Sequence, residues 1–117
     1  YASQLDRPIT SHLHACDVAT FWTWRADELP ALETNFARLE RLAPRVRKVL
    51  GCYMWDFGTG RAMPVESMAR QCELGLRWLR EGRIEGMILL GSCICDLPID
   101  AVRWTRDWVG RVGDEPL

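Results

Sequence analysis

One stretch of the sequence, residues 48–58, constrains the fold more than any other. It begins with the apolar pair Val49 and Leu50 and ends in an aromatic and acidic cluster at residues 53–57, YMWDF. A loop with two glycines follows, and a proline-led amphipathic segment starts at Pro64. This order predicts a strand buried on both faces, then a loop, then a helix.

The same order of apolar run, aromatic or polar end and amphipathic segment occurs twice more. Its strand ends lie at residues 21–24, FWTW, and at residues 92–96, SCICD. The sequence therefore predicts strands at residues 18–24, 47–55 and 86–93, with the second strand at the centre. Successive βα units of this kind form parallel sheets with right-handed crossovers. We expect an α/β fold with parallel strands in which residues 1–16 lead in, residues 17–112 carry three βα units and residues 113–117 form a tail.

Start and stop signals place a helix after each strand. Asp27 is the predicted N-cap of the first helix, which Pro44 ends. The second helix is expected to start at Pro64 and to stop at Gly82. Asp100 is the predicted cap of the third helix.

Composition narrows the class of protein. The 117 residues are enough for a single domain or a fragment of a larger one. The net charge of −1 gives no reason to expect a nucleic acid or an anionic membrane surface as partner. Apolar runs such as residues 87–90 are far shorter than the roughly 18 residues of a membrane helix. Residues 1–16 lack the apolar core of a signal peptide.

The five cysteines are expected to be reduced thiols used as small core residues, which favours a reducing compartment. Cys93 and Cys95 are two residues apart and would share a face of the third strand. Metal-binding cysteine pairs usually have two or more residues between them in a turn. We therefore expect no metal and no cofactor.

The alternation of side chains along strands assigns the two faces of the sheet. One face carries Val18, Thr20, Trp22 and Trp24 of the first strand, Val49, Gly51, Tyr53 and Trp55 of the second, and Met87, Leu89, Gly91, Cys93 and Cys95 of the third. The other face, with Phe21, Leu50, Ile88 and Leu90, is aliphatic and is expected beneath helices. Glycines at mid-strand and aromatic residues at the strand ends are typical of the interior of an eight-stranded parallel barrel.

Three segments, FWTWRADELPALETNF, VLGCYMWDFG and MILLGSCICD, resemble the last three βα units of a TIM-barrel protein of the glycoside-hydrolase type. The resemblance covers residues 17–112 and implies a (β/α)8 barrel with tryptophans lining a sugar subsite. It also implies a saccharide substrate, and either the remaining barrel strands or self-association to complete the sheet. The sequence departs from such enzymes in two respects: no glutamate lies at a predicted strand end, where they usually supply at least one, and the first five strands of a barrel are missing from it.

Four aromatic residues, Trp22, Trp24, Tyr53 and Trp55, are candidates for a platform that stacks on sugar rings. The alternative is that these side chains fill the barrel interior as packing. Arg25 follows Trp24 and could clamp an acidic group of the substrate. It could equally pair with a neighbouring carboxylate.

Asp56 and Asp96 follow the second and third predicted strands. Two carboxylates across a barrel mouth could act as acid and base in glycoside hydrolysis. The alternative is that each caps its own loop. The sequence thus predicts a carbohydrate-active, glycoside-hydrolase-like protein, with catalysis itself left open. The second hypothesis is a non-catalytic fragment or interaction module whose aromatic residues are structural core.

Overall fold

Three parallel strands, each followed by an α-helix, make up the frame of the protein. The structure is a computed structural model that describes residues 1–91 and 93–116. Its strands are β1 (Val18–Thr23), β2 (Arg47–Tyr53), β3 (Trp55–Asp56), β4 (Arg61–Ala62) and β5 (Gly86–Leu90). Its α-helices are α1 (Thr10–His14), α2 (Leu32–Leu42), α3 (Val65–Arg80) and α4 (Asp100–Val112).

The main sheet contains β1, β2 and β5 in that order, and both pairings are parallel. Trp22 of β1 lies opposite Gly51 of β2, and Tyr53 of β2 lies opposite Leu90 of β5. The predicted α/β fold with a parallel three-stranded sheet and a central second strand is confirmed. Because the strands are adjacent in chain order, right-handed crossovers put the connecting helices on the same face of the sheet.

Helices cover the face of the sheet that carries Phe21 and Leu50, both of which are almost fully buried. Phe36 of α2 meets Phe21 edge to face, with ring centroids 6.1 Å apart, and stacks on Trp78 of α3 at 4.2 Å. Trp108 of α4 belongs to the same hydrophobic cluster. This covered face is the core of the protein.

The opposite face of the sheet, here called the open face, is largely uncovered. It consists of Val18, Thr20, Trp22, Arg47, Val49, Gly51, Tyr53, Gly86, Ile88 and Leu90. Val18, Ile88 and Leu90 are 38%, 42% and 37% exposed. Arg47 is the one charged residue in this set; it lies at the N-terminal rim and pairs with Glu85. The remaining residues of the open face are uncharged. Parallel sheets are normally covered on both faces, which makes this an unusual apolar surface.

The face assignment of the third predicted strand is wrong. Met87 and Leu89 were expected on the face of Trp22, and Ile88 and Leu90 beneath the helices. The register pairs Leu50 with Met87 and Gly51 with Ile88, so the two sets are exchanged. A Cβ atom at Gly75 of α3 would lie 2.3 Å from Cε of Met87, because Met87 points toward that helix.

All three predicted strands are longer than the observed ones. β1 ends at Thr23 rather than at residue 24. β2 ends at Tyr53, because the backbone of Met54 bonds to Leu90 and to Met63 and the chain turns into the antiparallel hairpin β3–β4. β5 ends at Leu90, and Ser92, within the predicted extension to residue 93, lies outside the described residues.

The predicted helix boundaries are correct in part. Gly82 follows α3 with a φ of 69°, a conformation that glycine adopts readily, and Pro64 directly precedes that helix. Asp27 does not cap a helix; residues Ala26–Ala31 form a 3-10 helix and α2 starts at Leu32. Asp100 is the first residue of α4 rather than its cap.

The lead-in segment packs beside the sheet instead of standing apart. Leu5 is buried in the main core, and its carbonyl accepts a hydrogen bond from Arg38 of α2 at 2.9 Å. This anchoring brings the ring of Tyr1 against Trp24. In residues 1–91 and 93–116, no helix combines the length and apolarity that crossing a bilayer requires.

Candidate functional site

A contiguous group of five aromatic rings lies at the C-terminal edge of the open face. We call it the aromatic surface; its members are Tyr1, Trp22, Trp24, Tyr53 and Phe57. Ring centroids are 5.1 Å apart for Tyr1 and Trp24, 6.5 Å for Trp24 and Phe57, 5.1 Å for Phe57 and Tyr53, and 4.6 Å for Tyr53 and Trp22. These are the spacings of interacting aromatic pairs.

The strands and one loop contact position these rings. Trp22 and Tyr53 reach the surface through the pleat of β1 and β2. Trp24 follows the last residue of β1, and its carbonyl accepts a hydrogen bond from the backbone N–H of Phe57 at 2.9 Å. Two loops that are distant in sequence are thereby joined at the edge of the sheet.

Two of the rings are open to solvent. The side chains of Trp24 and Phe57 are 42% and 53% exposed, which is high for large apolar residues. Trp22 and Tyr53 are half-buried behind them. The exposed pair therefore offers flat apolar area to a ligand, while the inner pair supports it.

The aromatic surface also carries polar groups. The hydroxyls of Tyr1 and Tyr53 are 3.1 Å apart and share a hydrogen bond. Burial, and then this hydrogen bond, raise the pKa of Tyr53 to about 12. Tyr53 is therefore uncharged at neutral pH.

A cavity of about 410 Å³ with charged side chains at a mainly apolar lining borders the aromatic surface. It is lined in part by Arg25, Asp27, Asp56, Thr59 and Arg61. Arg25 and Asp56 are the sequence neighbours of Trp24 and Phe57, so the cavity and the rings adjoin. A ligand that covers the rings can place hydrogen-bonding groups in this cavity.

Trp55 does not join the aromatic surface. It was expected beside Trp24, but it lies in the hairpin strand β3, opposite Ala62, and packs against the main core. The turn at Met54 takes it off the pleat of β2. Phe57 occupies the place beside Trp24 instead.

The carboxylate of Asp56 is fixed by neighbouring backbone and side-chain donors. It accepts hydrogen bonds from the Thr59 hydroxyl at 2.7 Å and from the backbone N–H groups of Gly58 at 2.9 Å and Ala26 at 3.2 Å. Burial by itself raises the pKa of Asp56, but these hydrogen bonds outweigh it and the pKa lies below its ordinary value. An ionised carboxylate with its acceptor positions occupied favours the loop-capping interpretation.

Asp96 and Arg25 differ from Asp56 in being exposed. Asp96 lies in the turn before α4 and lines a separate cavity with Arg103 and Arg106. Arg25 donates two hydrogen bonds to Asp27, at 2.7 and 3.0 Å, and this pairing lowers the pKa of Asp27. The guanidinium of Arg25 thus already has a carboxylate partner, as the second interpretation proposed.

The cysteines fall into two groups. Cys52 is fully buried, and a hydrogen bond with Cys72, together with burial, raises the pKa of its thiol. Cys93 and Cys95 are exposed and lie in a turn, so the expectation that they are core residues of a strand is wrong. Among residues 1–91 and 93–116, no group of three or more His, Cys, Asp or Glu side chains could hold a metal ion.

Two members of the aromatic surface were missed in the sequence. Phe57 ends the YMWDF cluster, but it lies beyond the predicted end of the strand at residue 55, in a segment that the sequence predicts as a loop. Tyr1 is separated from Trp24 by the rest of the lead-in segment and by β1, and no local pattern indicates their contact. The clustering of aromatic residues around position 55 was the one usable signal for Phe57.

Comparison with known proteins identifies no relative of this protein. No protein-family model, no curated protein and no solved structure matches the chain. Its function is therefore argued from the geometry of the site.

Proposed function

We propose that this protein binds carbohydrate at the aromatic surface. The observation that carries the proposal is the exposed pair Trp24 and Phe57, backed by two half-buried rings. Sugar rings present flat faces of C–H groups, and aromatic rings are complementary to them. Exposed aromatic area of this kind is otherwise unfavourable on a protein surface and marks binding sites.

The cavity beside the rings has polar side chains that suit a polyhydroxylated ligand. Its side chains include two carboxylates, two guanidinium groups and a hydroxyl, from Asp27, Asp56, Arg25, Arg61 and Thr59. Asp56 and Arg25 are already bonded within the protein, so Arg61, which forms no ion pair among the described residues, is the side chain left to donate to sugar hydroxyls, while the rings bind the apolar faces. The mixture of both signs of charge favours a neutral saccharide over a strongly anionic one.

We further propose that the sheet is the C-terminal part of a (β/α)8 barrel. Three features support this: parallel strands in consecutive order, helices packed on one face, and an open face without charge beyond its rim. In such a barrel the open face is the interior, and ligands bind at the C-terminal ends of the strands. The aromatic surface lies at that end. Further strands, from the same protein or from other copies, would complete the barrel.

The geometry supports binding more directly than hydrolysis. A glycosidase of the common type needs one carboxyl that donates a proton and a second carboxylate across the bond. The lowered pKa and the hydrogen bonds of Asp56 suit a fixed anion rather than a proton donor. Catalysis by Asp56 and Asp96 stays a prediction.

A second candidate function is an interaction module, and one observation favours it. The aliphatic residues Val18, Ile88 and Leu90 are exposed on the open face, and Leu90 lies next to Tyr53 of the aromatic surface. Exposed aliphatic strips of this kind mark protein–protein contacts. This function and carbohydrate binding use adjoining parts of the same face.

Titration with neutral oligosaccharides tests the proposed function. Cello-, xylo- and manno-oligosaccharides are added to labelled protein while the indole N–H resonances of all six tryptophans are followed. We expect shifts for Trp22 and Trp24 and none for the core residue Trp78. A dissociation constant above ~10 mM would be weaker than ordinary carbohydrate binding. The absence of any indole shift up to that concentration of each saccharide would therefore contradict the proposal.

A further inference from the structure

A cavity of about 580 Å³ lies at the N-terminal edge of the sheet, opposite the aromatic surface. It is formed by the end of α1, the end of α2 and the residues that enter β2. Its polar lining includes His14, Arg41 and Arg45, and its apolar lining consists of Leu42, Pro44 and Val46. The cavity thus combines cationic groups with an apolar wall.

The charges around this cavity are of one sign. No carboxylate lines it, and within the described residues neither Arg41 nor Arg45 forms an ion pair. Other arginines of α2 and its surroundings are paired: Arg38 with Asp6 and Arg83 with Glu40, both at 2.7 Å. Two guanidinium groups next to one concave surface therefore keep their donors for a ligand.

The end of α2 would ordinarily oppose an anion, because the carbonyl groups of a helix C-terminus carry partial negative charge. Lys48 removes this obstacle. Its ammonium group donates to the carbonyl oxygens of Ala43 at 2.8 Å and Val46 at 2.6 Å, and the residue is only 6% exposed. No carboxylate in the described part of the chain pairs with it. Lys48 itself lines a neighbouring cavity that also contains Glu40 and Glu85, so its part here is to offset the carbonyl groups at the end of α2, and the anion site rests on Arg41 and Arg45.

The chemistry of the lining selects the class of anion. Guanidinium groups bind the oxygens of phosphate through pairs of parallel hydrogen bonds, and two of them are available here. The apolar wall of Leu42, Pro44 and Val46 suits an organic group attached to the phosphate. We propose that this cavity binds a small organic phosphate monoester through Arg41 and Arg45.

This site is distinct from the aromatic surface and does not depend on carbohydrate binding. The two sites lie at opposite ends of the parallel strands. Failure of one proposal therefore leaves the other unaffected.

Binding of phenyl phosphate to the purified protein tests the inference, with titration followed by NMR and calorimetry. The test variant is the double substitution Arg41→Gln/Arg45→Gln. The matched control is Arg70→Gln/Arg111→Gln, which removes two exposed helical arginines outside the cavity. Unfolding curves establish that all three proteins are folded alike. Benzoate and benzyl alcohol serve as the carboxylate and uncharged analogues.

We expect phenyl phosphate to bind the native protein and the control with the same dissociation constant. We expect the test variant to bind at least about tenfold more weakly, as loss of two charge-assisted contacts requires. Raising the salt concentration should weaken binding. Equal affinity for benzoate would overturn the phosphate assignment. An equal loss in both double variants, or no binding by the native protein, would overturn the site.

Discussion

The indole of Trp22 lies across Gly51 of the neighbouring strand. A Cβ atom built at position 51 would be 2.1 Å from Cδ2 of that indole, far inside van der Waals contact. The absence of a side chain at Gly51 lets the ring settle on the sheet and meet Tyr53. One glycine in the centre of β2 therefore supports the inner half of the aromatic surface.

Gly51→Ala should lower the free energy of unfolding by about 1–3 kcal/mol, the usual cost of inserting atoms into a filled site. The new methyl group would displace Trp22, so tryptophan fluorescence of the folded protein should also change. Urea denaturation followed by fluorescence measures both effects. Gly86→Ala is the matched control, because a Cβ atom there meets no other atom within 4 Å. Equal stability of the two variants would show that Trp22 is not held as described.

Asp56→Asn should destabilise the protein by about 1–2 kcal/mol at neutral pH, because a neutral amide replaces a carboxylate that accepts three hydrogen bonds. The folded pKa of Asp56 is lowered, so its contribution is present above the unfolded pKa of about 3.9 and is lost as the pH falls through the folded pKa.

Urea denaturation over an acidic pH series checks this prediction. The difference between native protein and Asp56→Asn should shrink below pH ~4, where the unfolded carboxyl becomes protonated. Thr59→Val removes a single hydrogen bond to the same carboxylate and should produce a smaller loss. A difference that persists unchanged in strong acid would assign the effect of Asp56→Asn to something other than its charge.

Tyr53 should make stability fall at alkaline pH. Its folded pKa is raised to about 12 by burial and by the hydrogen bond with Tyr1, above the unfolded value of about 10. The neutral form is favoured by folding, so its contribution is complete below pH ~10 and is lost as the pH rises through the folded pKa. Above pH ~10 the free energy of unfolding, measured by denaturation, should fall more steeply with pH for the native protein than for Tyr53→Phe. Identical pH profiles would contradict the raised pKa.

The open face should drive self-association when no further strands cover it. Exposed apolar side chains on an uncharged sheet bury themselves against a partner, and two free sheet edges add to this tendency. Ile88→Glu places a charge in the middle of that face and should weaken association at least about tenfold. Light scattering and sedimentation measure the effect. Val109→Glu, on a similarly exposed residue of α4, should leave association unchanged.

A native protein that stays monodisperse and monomeric at high concentration would contradict the prediction for the open face. The same result would weaken the barrel proposal, because a complete three-stranded unit would then need no cover.

The order of elements could be predicted because each is marked by strong local signals. The apolar runs before residues 24 and 55 predict two strands, and the proline at residue 64 predicts the start of a helix. Neither prediction needs tertiary information. Trp22, Gly51 and Tyr53 were placed on one face correctly, because the register of β1 and β2 follows the simple pleat.

The faces of β5 could not be derived in the same way. Residues 86–91, GMILLG, are apolar on both sides of the pleat, so alternation gives no direction. Only the pairing of Leu50 with Met87 decides it. The hairpin β3–β4 was missed for a different reason: its strands are two residues each, and they depend on the backbone bonds of Met54 rather than on a sequence pattern.

The same turn at Met54 explains the errors in the predicted site residues. Once the chain leaves the pleat at Met54, the next aromatic residues no longer follow the strand, so Trp55 moves to the core and Phe57 to the surface. The capping of Asp56 by its own loop is one of the two roles that the sequence predicts, because Asp commonly bonds to backbone groups just beyond it.

The most direct test of the account compares Trp24→Ala with Trp55→Ala in stability and in oligosaccharide affinity. Trp24 is 42% exposed on the aromatic surface, so its loss should change the unfolding free energy little and weaken binding by about 1–3 kcal/mol. Trp55 packs against the core, so its loss should destabilise the protein by about 2–4 kcal/mol and leave the affinity of the folded fraction unchanged. The reverse result, with binding lost in Trp55→Ala and retained in Trp24→Ala, would contradict the placement of the carbohydrate site on the aromatic surface.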